Sequence, residues 1–298
     1  MVKLVQRRAI WYSFSGLLAV MSVVALVMWG LKFGLDFTGG SLLEVEFKGA
    51  RPTVEVVNGS FSKLDLGTVN VQPIGESGVL LRFREVSEDV HQQILTALRS
   101  SGSEVSERRF ESIGPLIGAE LRSRALWAIA VALIFIVLYI AWAFRKVSRP
   151  VASWKYGVSA VIALAHDLLI TIGVFSVLGH FAGVEVDSLF VTALLTILGF
   201  SVHDTIVVFD RTRENLFRGV ASDFETTVEL SVNETIVRSI NTSLTTLLVM
   251  FTLYLFGGES IRYFALALLI GITAGTYSSI FVASPLVVDW NYLSQRRK

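Results

Sequence analysis

The sequence contains no cysteine among its 298 residues. Disulfides are therefore excluded, and any soluble domain of the chain must rely on its own packed core. Thiol redox chemistry and thiolate metal sites are excluded for the same reason. The chain also has no HExxH or comparable ligand spacing, and its two His-Asp dipeptides lack a convincing third ligand. We therefore expect no metal site and no cofactor.

Charged residues are scarce, at 17% of the chain, whereas 53% are hydrophobic. This balance is far from that of an ordinary soluble domain and indicates a membrane protein. A helix needs about 20 apolar residues to cross roughly 30 Å of hydrocarbon. Six runs are long enough, and we number them spans 1 to 6: 9–31, 125–144, 156–179, 189–209, 239–256 and 263–285.

The distribution of basic residues predicts the orientation of the chain, whereas its net charge of +1 does not. The loops 180–188 and 257–262 contain only one Lys or Arg residue, Arg262. By the positive-inside rule both termini are cytoplasmic and the segment between spans 1 and 2 faces outward. We expect span 1 to be retained, because its apolar core is long for a signal peptide and no cleavage motif follows it. The basic residues flank the other span ends: Lys3, Arg7, Arg8, Arg145, Lys146, Arg149, Lys155, Arg211, Arg213, Arg218, Arg238, Arg296, Arg297 and Lys298.

The outward segment, residues 41–112, has the patterns of a small soluble domain. Its predicted elements have the order βαββαβ, which is that of a split βαβ, or ferredoxin-like, unit. In chain order they are a strand over 41–47, a helix over 53–64, a hairpin of strands 68–74 and 78–84 around the turn GESG, a helix starting after Ser87, and a strand over 104–113.

We therefore predict a mainly α membrane protein of six transmembrane helices with a small α+β ferredoxin-like periplasmic domain. The predicted parts are 1–31, which holds the N-terminus and the first span, the periplasmic domain 32–122, and the remaining spans in 123–298. The motif PLIGAELRSRALW is expected to continue as a helix into span 2. The segment 224–239 is predicted to form an amphipathic helix along the membrane surface, or alternatively a simple connector.

Two His-Asp pairs lie inside spans: His166 and Asp167 in span 3, and His203 and Asp204 in span 4. A central Asp costs roughly 2.5–3.5 kcal/mol on insertion scales, so such residues tend to be paired, water-facing or functional. The histidines are expected to support the carboxylates. The alternative is that the carboxylates only fix helix packing through hydrogen bonds. Candidate partners for that role are Thr171, Ser201, Thr205 and Asn241.

Arg238, at the mouth of span 5, is the predicted counter-charge for Asp204. An opposite charge favours the carboxylate and burial favours the acid, so a small movement could change which form is populated. This pattern is typical of a proton switch. Small residues are expected where helices approach closely: Gly39, Gly40, Gly173, Gly199 and the run 271–275.

Five motifs along the chain resemble the SecD/SecF family of bacterial protein-export subunits, and its SecF members in particular. They are DFTGG (Asp36, Phe37, Thr38, Gly39 and Gly40), IGPLIGAEL before span 2, AHDLLITIG in span 3, GFSVHDTIVVFDRTREN in span 4 and NETIVRSINTSLTT entering span 5. The resemblance covers essentially the whole chain in the expected order.

This resemblance implies one half of a transporter of the resistance-nodulation-division superfamily, with SecD as the other half. It implies that the pair uses the proton-motive force to assist export through the SecYEG channel after the ATPase SecA, with YajC as a further partner. The translocating unfolded polypeptide and membrane lipid are the other implied contacts, and nucleic acid is not one. The implied proton pathway consists of Asp204, Arg238 and Asp167, supported by His203, His166 and Thr205.

Three other functions remain open. A proton-driven exporter of small molecules or lipids would use the same helices, but a single outer domain of about 70 residues leaves little room for a drug-sized pocket. A structural assembly subunit would use Asp204 and Arg238 only to tie helices together. An enzyme is disfavoured, because no nucleophile, base and oxyanion set can be assembled from these motifs.

Overall fold

The computed structural model describes residues 3–49, 51–61, 64–100, 104–143 and 151–296. The chain divides into two compact units, one formed by residues 33–125 and the other by the segments 1–32 and 126–298. We call them the sheet unit and the helical unit. Five of the basic residues in the predicted charge pattern lie outside the described residues: Arg145, Lys146, Arg149, Arg297 and Lys298.

The described chain is mainly helical, with one small antiparallel sheet. A 3-10 turn (Val5–Arg7) precedes the first helix, and a π-helical turn (Ser279–Ala283) joins the last two. In chain order the elements are α1 (Arg8–Trp29), α2 (Leu35–Thr38), β1 (Gly40–Lys48), α3 (Val54–Ser60), β2 (Asn70–Ile74), β3 (Gly78–Phe83), α4 (Glu88–Ser100), β4 (Glu104–Ile113), α5 (Pro115–Ala143), α6 (Ser153–Ala182), α7 (Ser188–Arg218), α8 (Phe224–Phe256), α9 (Glu259–Ser278) and α10 (Ser284–Gln295).

Six helical segments of the described chain are long and apolar enough to cross a membrane, which confirms the six predicted spans. The sixth consists of α9, the π-helical turn and α10 together. As predicted, α5 starts at Pro115 and continues into span 2 without a break. Proline suits the first position of a helix because a backbone N–H there would have no intrahelical acceptor, so its absence costs no hydrogen bond. The chain is thus a multi-pass membrane protein.

The prediction of a separate surface helix before span 5 is wrong. Residues 224–256 form one continuous helix of 33 residues, α8. Asp223 caps it by accepting a hydrogen bond from the Thr226 amide, and this bond holds the pKa of the Asp223 carboxyl below its ordinary value. The first turns of α8 are buried rather than amphipathic on a surface, because Val228 and Val232 belong to the core of the helical unit.

Small residues allow the helices of the helical unit to approach closely. A Cβ atom added to Gly173 of α6 would lie 2.4 Å from Ser22 Cβ of α1. A Cβ added to Gly271 or Gly275 of α9 would collide with Ile197 or Ser201 of α7. Interfaces without room for a methyl group bring backbones together, which is how helices gain packing energy in lipid.

Glu229 of α8 is only 1% exposed, and sequence analysis did not single it out. Its Oε1 accepts a hydrogen bond from the Leu4 amide at 2.6 Å, and its Oε2 accepts one from the Gln6 amide at 3.0 Å. The carboxylate thereby satisfies N–H groups at the start of the first helical segment. The N-terminal segment is thus attached to α8, more than 200 residues away.

The sheet unit has the strand order β2-β3-β1-β4, and every neighbouring pair is antiparallel. Strands β1 and β4 pair over their full length, with an irregularity between Glu44 and Val45. The elements after α2 follow the predicted order βαββαβ. Helix α3 is shorter than predicted and ends near Asn58 and Gly59, which are poor helix formers. Buried apolar residues of β1, β3, β4, α3 and α4 form most of the core, and Val71 of β2 packs against it.

Replacing Gly173 by Ala is expected to destabilise the helical unit by roughly 1–3 kcal/mol, because the new methyl group overpacks against Ser22. In α1, Gly16 is the matched control, since a Cβ added there has no neighbour within 4 Å. Thermal unfolding of the purified protein in detergent measures the effect. A melting temperature for Gly173→Ala equal to that of Gly16→Ala would contradict the close α1–α6 contact.

Candidate functional site

Asp204 lies near the middle of α7 and is 6% exposed. Its Oδ2 atom is 3.2 Å from the Ser243 hydroxyl of α8 and 3.1 Å from the Thr276 hydroxyl of α9. These two hydroxyls are also 2.5 Å from each other. The carboxyl group is therefore held where three helices meet. Hydrogen bonding of this kind offsets the large cost of burying a polar group away from water.

Asp167 of α6 is completely buried. Its Oδ2 accepts hydrogen bonds from the Ser201 hydroxyl of α7 at 2.6 Å and from the Ser278 hydroxyl of α9 at 2.8 Å. Ser201 is thus confirmed as a predicted partner of a buried carboxylate. Thr171 donates instead to the backbone carbonyl of Asp167, and Asn241 is exposed.

Two groups of hydroxyl residues, one around each carboxylate, share α7 and α9, and together with the carboxylates we call them the polar centre. Ser201 lies one turn before Asp204 on α7, and Ser278 lies two residues after Thr276 on α9. Thr205 donates to the Ser201 carbonyl and lies 3.2 Å from the Ser279 hydroxyl, which starts the π-helical turn. Such turns are frequent at functional sites. The polar centre consists of Asp167, Ser201, Asp204, Thr205, Ser243, Thr276, Ser278 and Ser279.

The two histidines have different environments. His166 lies beside Asp167, with 3.1 Å between its Nδ1 atom and Oδ1 of the carboxylate. Its Nε2 atom is buried without a hydrogen-bond partner among the described residues. His203 is exposed on the outer face of α7, although it is adjacent to Asp204 in sequence. Consecutive residues point about 100° apart on a helix, so the two side chains face different surroundings.

The predicted pairing of Arg238 with Asp204 is absent from this structure. Within the described chain Asp204 forms no ion pair, and Arg238 is exposed. The reason is helical geometry. Ser243, five residues after Arg238, is the α8 residue that contacts Asp204, and five residues correspond to about 140° around the axis. Arg238 thus lies on a different face of α8.

Sequence analysis missed Ser243, Thr276 and Ser278. Hydroxyl residues are common in transmembrane helices, where they usually bond to their own backbone. Thr276 does so as well, because its hydroxyl is 3.0 Å from the Ile272 carbonyl. Only the arrangement of α8 and α9 around α7 distinguishes these three residues from the other hydroxyls. Among the described residues, no group of three His, Asp or Glu side chains could hold a metal ion.

The DFTGG motif lies in the sheet unit, where its last three residues connect α2 to β1. Both Gly39 (φ +70°) and Gly40 (φ +117°) have positive φ angles. A Cβ on Gly39 would lie 2.8 Å from the Pro115 backbone, and one on Gly40 would lie 2.9 Å from the Phe83 carbonyl oxygen. Only glycine satisfies both the backbone angle and the close approach. The motif thus brings the beginning and the end of the sheet unit together.

Comparison with known families gives two matches. The family described as protein export membrane protein SecD/SecF, C-terminal, matches residues 93–292, and the SecD/SecF GG motif matches residues 25–50. The protein translocase subunit SecF of Thermobaculum terrenum is 43% identical over 97% of this chain and 94% of its own length. The SecF subunit of Anaerolinea thermophila is 39% identical with the same coverage.

Two solved structures are also similar. The crystal structure of SecDF from Thermus thermophilus has a TM-score of 0.80 and 33% identity over 98% of this chain. SecDF in its super-membrane-facing form has a TM-score of 0.70 and 32% identity over 99% of this chain. This chain spans 39% of the length of each of those chains. The family matches, the full-length relatives and the fold agree, and the chain therefore belongs to the SecD/SecF family of protein export membrane proteins.

Proposed function

We propose that this chain acts as a SecF subunit that couples proton movement to Sec-dependent protein export. The export role follows from family membership and from relatives named protein translocase subunit SecF. The proton coupling is our proposal, and the observation that carries it is the position of Asp204. This buried carboxyl group of α7 is held against α8 and α9 by hydroxyls alone among the described residues.

Hydroxyl partners suit a group that gains and loses a proton. A hydroxyl donates to a carboxylate and accepts from a carboxylic acid, so Ser243 and Thr276 can serve both states of Asp204. An arginine partner would favour only the charged state. Loss or gain of the proton therefore reorders the contacts of α7 with α8 and α9 without leaving a buried polar group unpaired.

The available energy is sufficient for such a switch. One charge moved through about 100 mV yields roughly 2.3 kcal/mol. This free energy changes the equilibrium constant between two states by more than tenfold. Asp167 bonds to α7, the helix that carries Asp204, and to α9, which also binds Asp204, and we assign it to the same proton pathway. His166 then supports Asp167, and Thr205 supports the π-helical turn. We propose no catalytic chemistry for any of these residues.

In this proposal both termini are cytoplasmic and the domain of residues 32–122 is periplasmic, so that spans 2 to 6 lie within 123–298. We propose a ferredoxin-like fold for this domain, which the strand order β2-β3-β1-β4 supports. The location is the bacterial cytoplasmic membrane. The domain would contact the emerging unfolded polypeptide beside the SecYEG channel, with SecA acting indirectly and YajC as a further partner.

SecD is the proposed direct partner, because SecDF chains contain a larger part that has no equivalent here. An exposed face of the helical unit supports this assignment. Gly199 and His203 lie one turn apart on α7, and Arg238 and Asn241 lie one turn apart on α8; all four are exposed. Polar residues and glycine within a span or at its end are typical of helix interfaces rather than of lipid contact. Arg238 would then pair with a group of the partner.

Replacing Asp204 by Asn is expected to abolish coupling, because an amide keeps the hydrogen bonds but cannot release a proton. We expect proton uptake by proteoliposomes that contain this chain and SecD to fall to background. Export of a secreted precursor in cells should become insensitive to the membrane potential. Wild-type values in both assays would remove the proton proposal and leave a scaffold role.

Asp167 is tested by two replacements with different consequences. Asn can still accept hydrogen bonds from Ser201 and Ser278, so Asp167→Asn should keep the melting temperature but lose proton uptake. Leu removes the acceptor of both hydroxyls and leaves that of Ser201 buried and unpaired, whereas Ser278 keeps its bond to the Gly275 carbonyl, so Asp167→Leu should destabilise the protein by roughly 1–3 kcal/mol. Full proton uptake by Asp167→Asn would show that Asp167 only fixes helix packing.

The partner face is tested with Gly199→Trp. The side chain would project from α7 without clashing inside this chain, because a Cβ at Gly199 has no neighbour within 4 Å. We expect normal membrane levels but loss of SecD on co-purification in mild detergent. Leu248→Trp, on an exposed apolar part of α8, is the control. Retention of SecD by Gly199→Trp would place the interface elsewhere.

A further inference from the structure

Five hydroxyl residues follow one another at every fourth position of α8: Thr227, Ser231, Thr235, Ser239 and Ser243. We call them the hydroxyl ladder. All five are buried, with exposures between 0 and 6%. Residues four apart lie on neighbouring turns and form a ridge that winds slowly around the helix. The ladder connects Asp204, through Ser243, with the beginning of α8.

The ladder runs along the contact between α8 and α7. Near its inner end the Ser231 hydroxyl accepts a hydrogen bond from Asn215 Nδ2 of α7 at 3.0 Å. At its other end Ser243 contacts Asp204, which also belongs to α7. The two contacts are 12 residues apart on α8, which corresponds to about 18 Å along the axis.

Ser239 differs from the other residues of the hydroxyl ladder. The hydroxyls of Thr227, Ser231 and Thr235 donate to backbone carbonyls one turn earlier on α8. Ser239 is 2% exposed, and its Oγ atom has no hydrogen-bond partner among the described residues. A buried hydroxyl without a partner loses a free energy comparable to that of a hydrogen bond. Ordered water is the usual partner of such groups.

The spacing of the ladder fits single water molecules. Four residues rise about 6 Å, which is too far for a direct hydrogen bond between successive hydroxyls. One water between two oxygen atoms bridges roughly 5.5 Å, because each of its hydrogen bonds spans about 2.8 Å. Alanine would pack at least as closely as serine and threonine, so close packing alone does not account for five hydroxyls in succession.

The inner end of the ladder reaches charged groups. Asn215 Nδ2 also donates to Glu234 Oε2 at 2.8 Å, and Glu234 pairs with Arg211 at 2.6 Å. Both charged side chains are about one-third exposed. A chain of polar groups thus leads from the buried carboxyl group to the surface at the beginning of α8.

We propose that the hydroxyl ladder holds a file of water molecules that conducts protons between Asp204 and the cytoplasm. The proposal rests on the proposed function, which makes Asp204 the proton-binding group. When the O–H bond of the Asp204 acid breaks, the proton joins the nearest water. Each water then passes one proton onward and receives one from behind. One proton thus leaves Asp204 for each proton that enters the cytoplasm, and no other reactant is needed.

The natural absence of cysteine allows a direct test of water along the ladder. Single variants Ser231→Cys, Thr235→Cys and Ser239→Cys, in membrane vesicles with the cytoplasmic face outward, are treated with a small water-soluble methanethiosulfonate. Only the thiolate reacts, and it forms where water reaches, so we expect rates at least about tenfold above that of Leu248→Cys. Leu248, 58% exposed on an apolar face, is the lipid-facing control. Rates for Ser239→Cys no higher than the control would overturn the proposal.

Proton uptake provides the second test, in proteoliposomes that contain this chain and SecD. Ser239→Leu should lower the rate by at least about tenfold, equivalent to roughly 1.4 kcal/mol in the barrier. Ser239→Thr keeps the hydroxyl and should restore the rate. Thr252→Leu removes an exposed hydroxyl from the same helix and should have no effect. Equal melting temperatures establish that the variants are folded.

The two proposals fail in different ways. If Asp204→Asn abolishes uptake but Ser239→Leu does not change it, the ladder is not the route and the proposed function stands. If Asp204→Asn takes up protons like the unmodified protein, the proposed function fails, and with it a route that ends at this carboxyl group.

Discussion

Two carboxyl groups buried in an apolar helical unit constrain the rest of this structure. Each must be hydrogen-bonded, because an unpaired polar group at this depth would cost several kcal/mol. Asp167 and Asp204 obtain their partners from α7, α8 and α9 through serine and threonine side chains. The relative positions of these helices are therefore tied to the hydrogen bonds of two side chains.

Hydroxyls and small residues perform complementary tasks in this arrangement. Gly271 and Gly275 bring α9 close to α7. That proximity places Thr276 against Asp204 and Ser278 against Asp167. A larger residue in either glycine position would move the hydroxyls out of hydrogen-bond distance as well as disturb the packing. Close packing and the hydrogen bonds of the buried carboxyl groups thus depend on the same few positions of α9.

The helix α8 links three parts of the helical unit. Near its start, Glu229 binds the N-terminal segment that leads into α1. Further along, the hydroxyl ladder follows its contact with α7, and Ser243 reaches the polar centre. A displacement of α8 caused by protonation of Asp204 would therefore be transmitted to α1.

The sequence alone determined the six spans, the βαββαβ order and the presence of Asp167 and Asp204 within apolar helices, because hydropathy, strand alternation and the position of a charged residue in an apolar run are local properties. The tertiary structure decided which groups meet those carboxylates. Arg238 was predicted beside Asp204, yet Ser243 lies there, because the rotation of α8 about its axis depends on packing against other helices. The roles of Thr276, Ser278 and Glu229 likewise depend on contacts between residues far apart in the chain. Such contacts leave no periodic signal in the sequence.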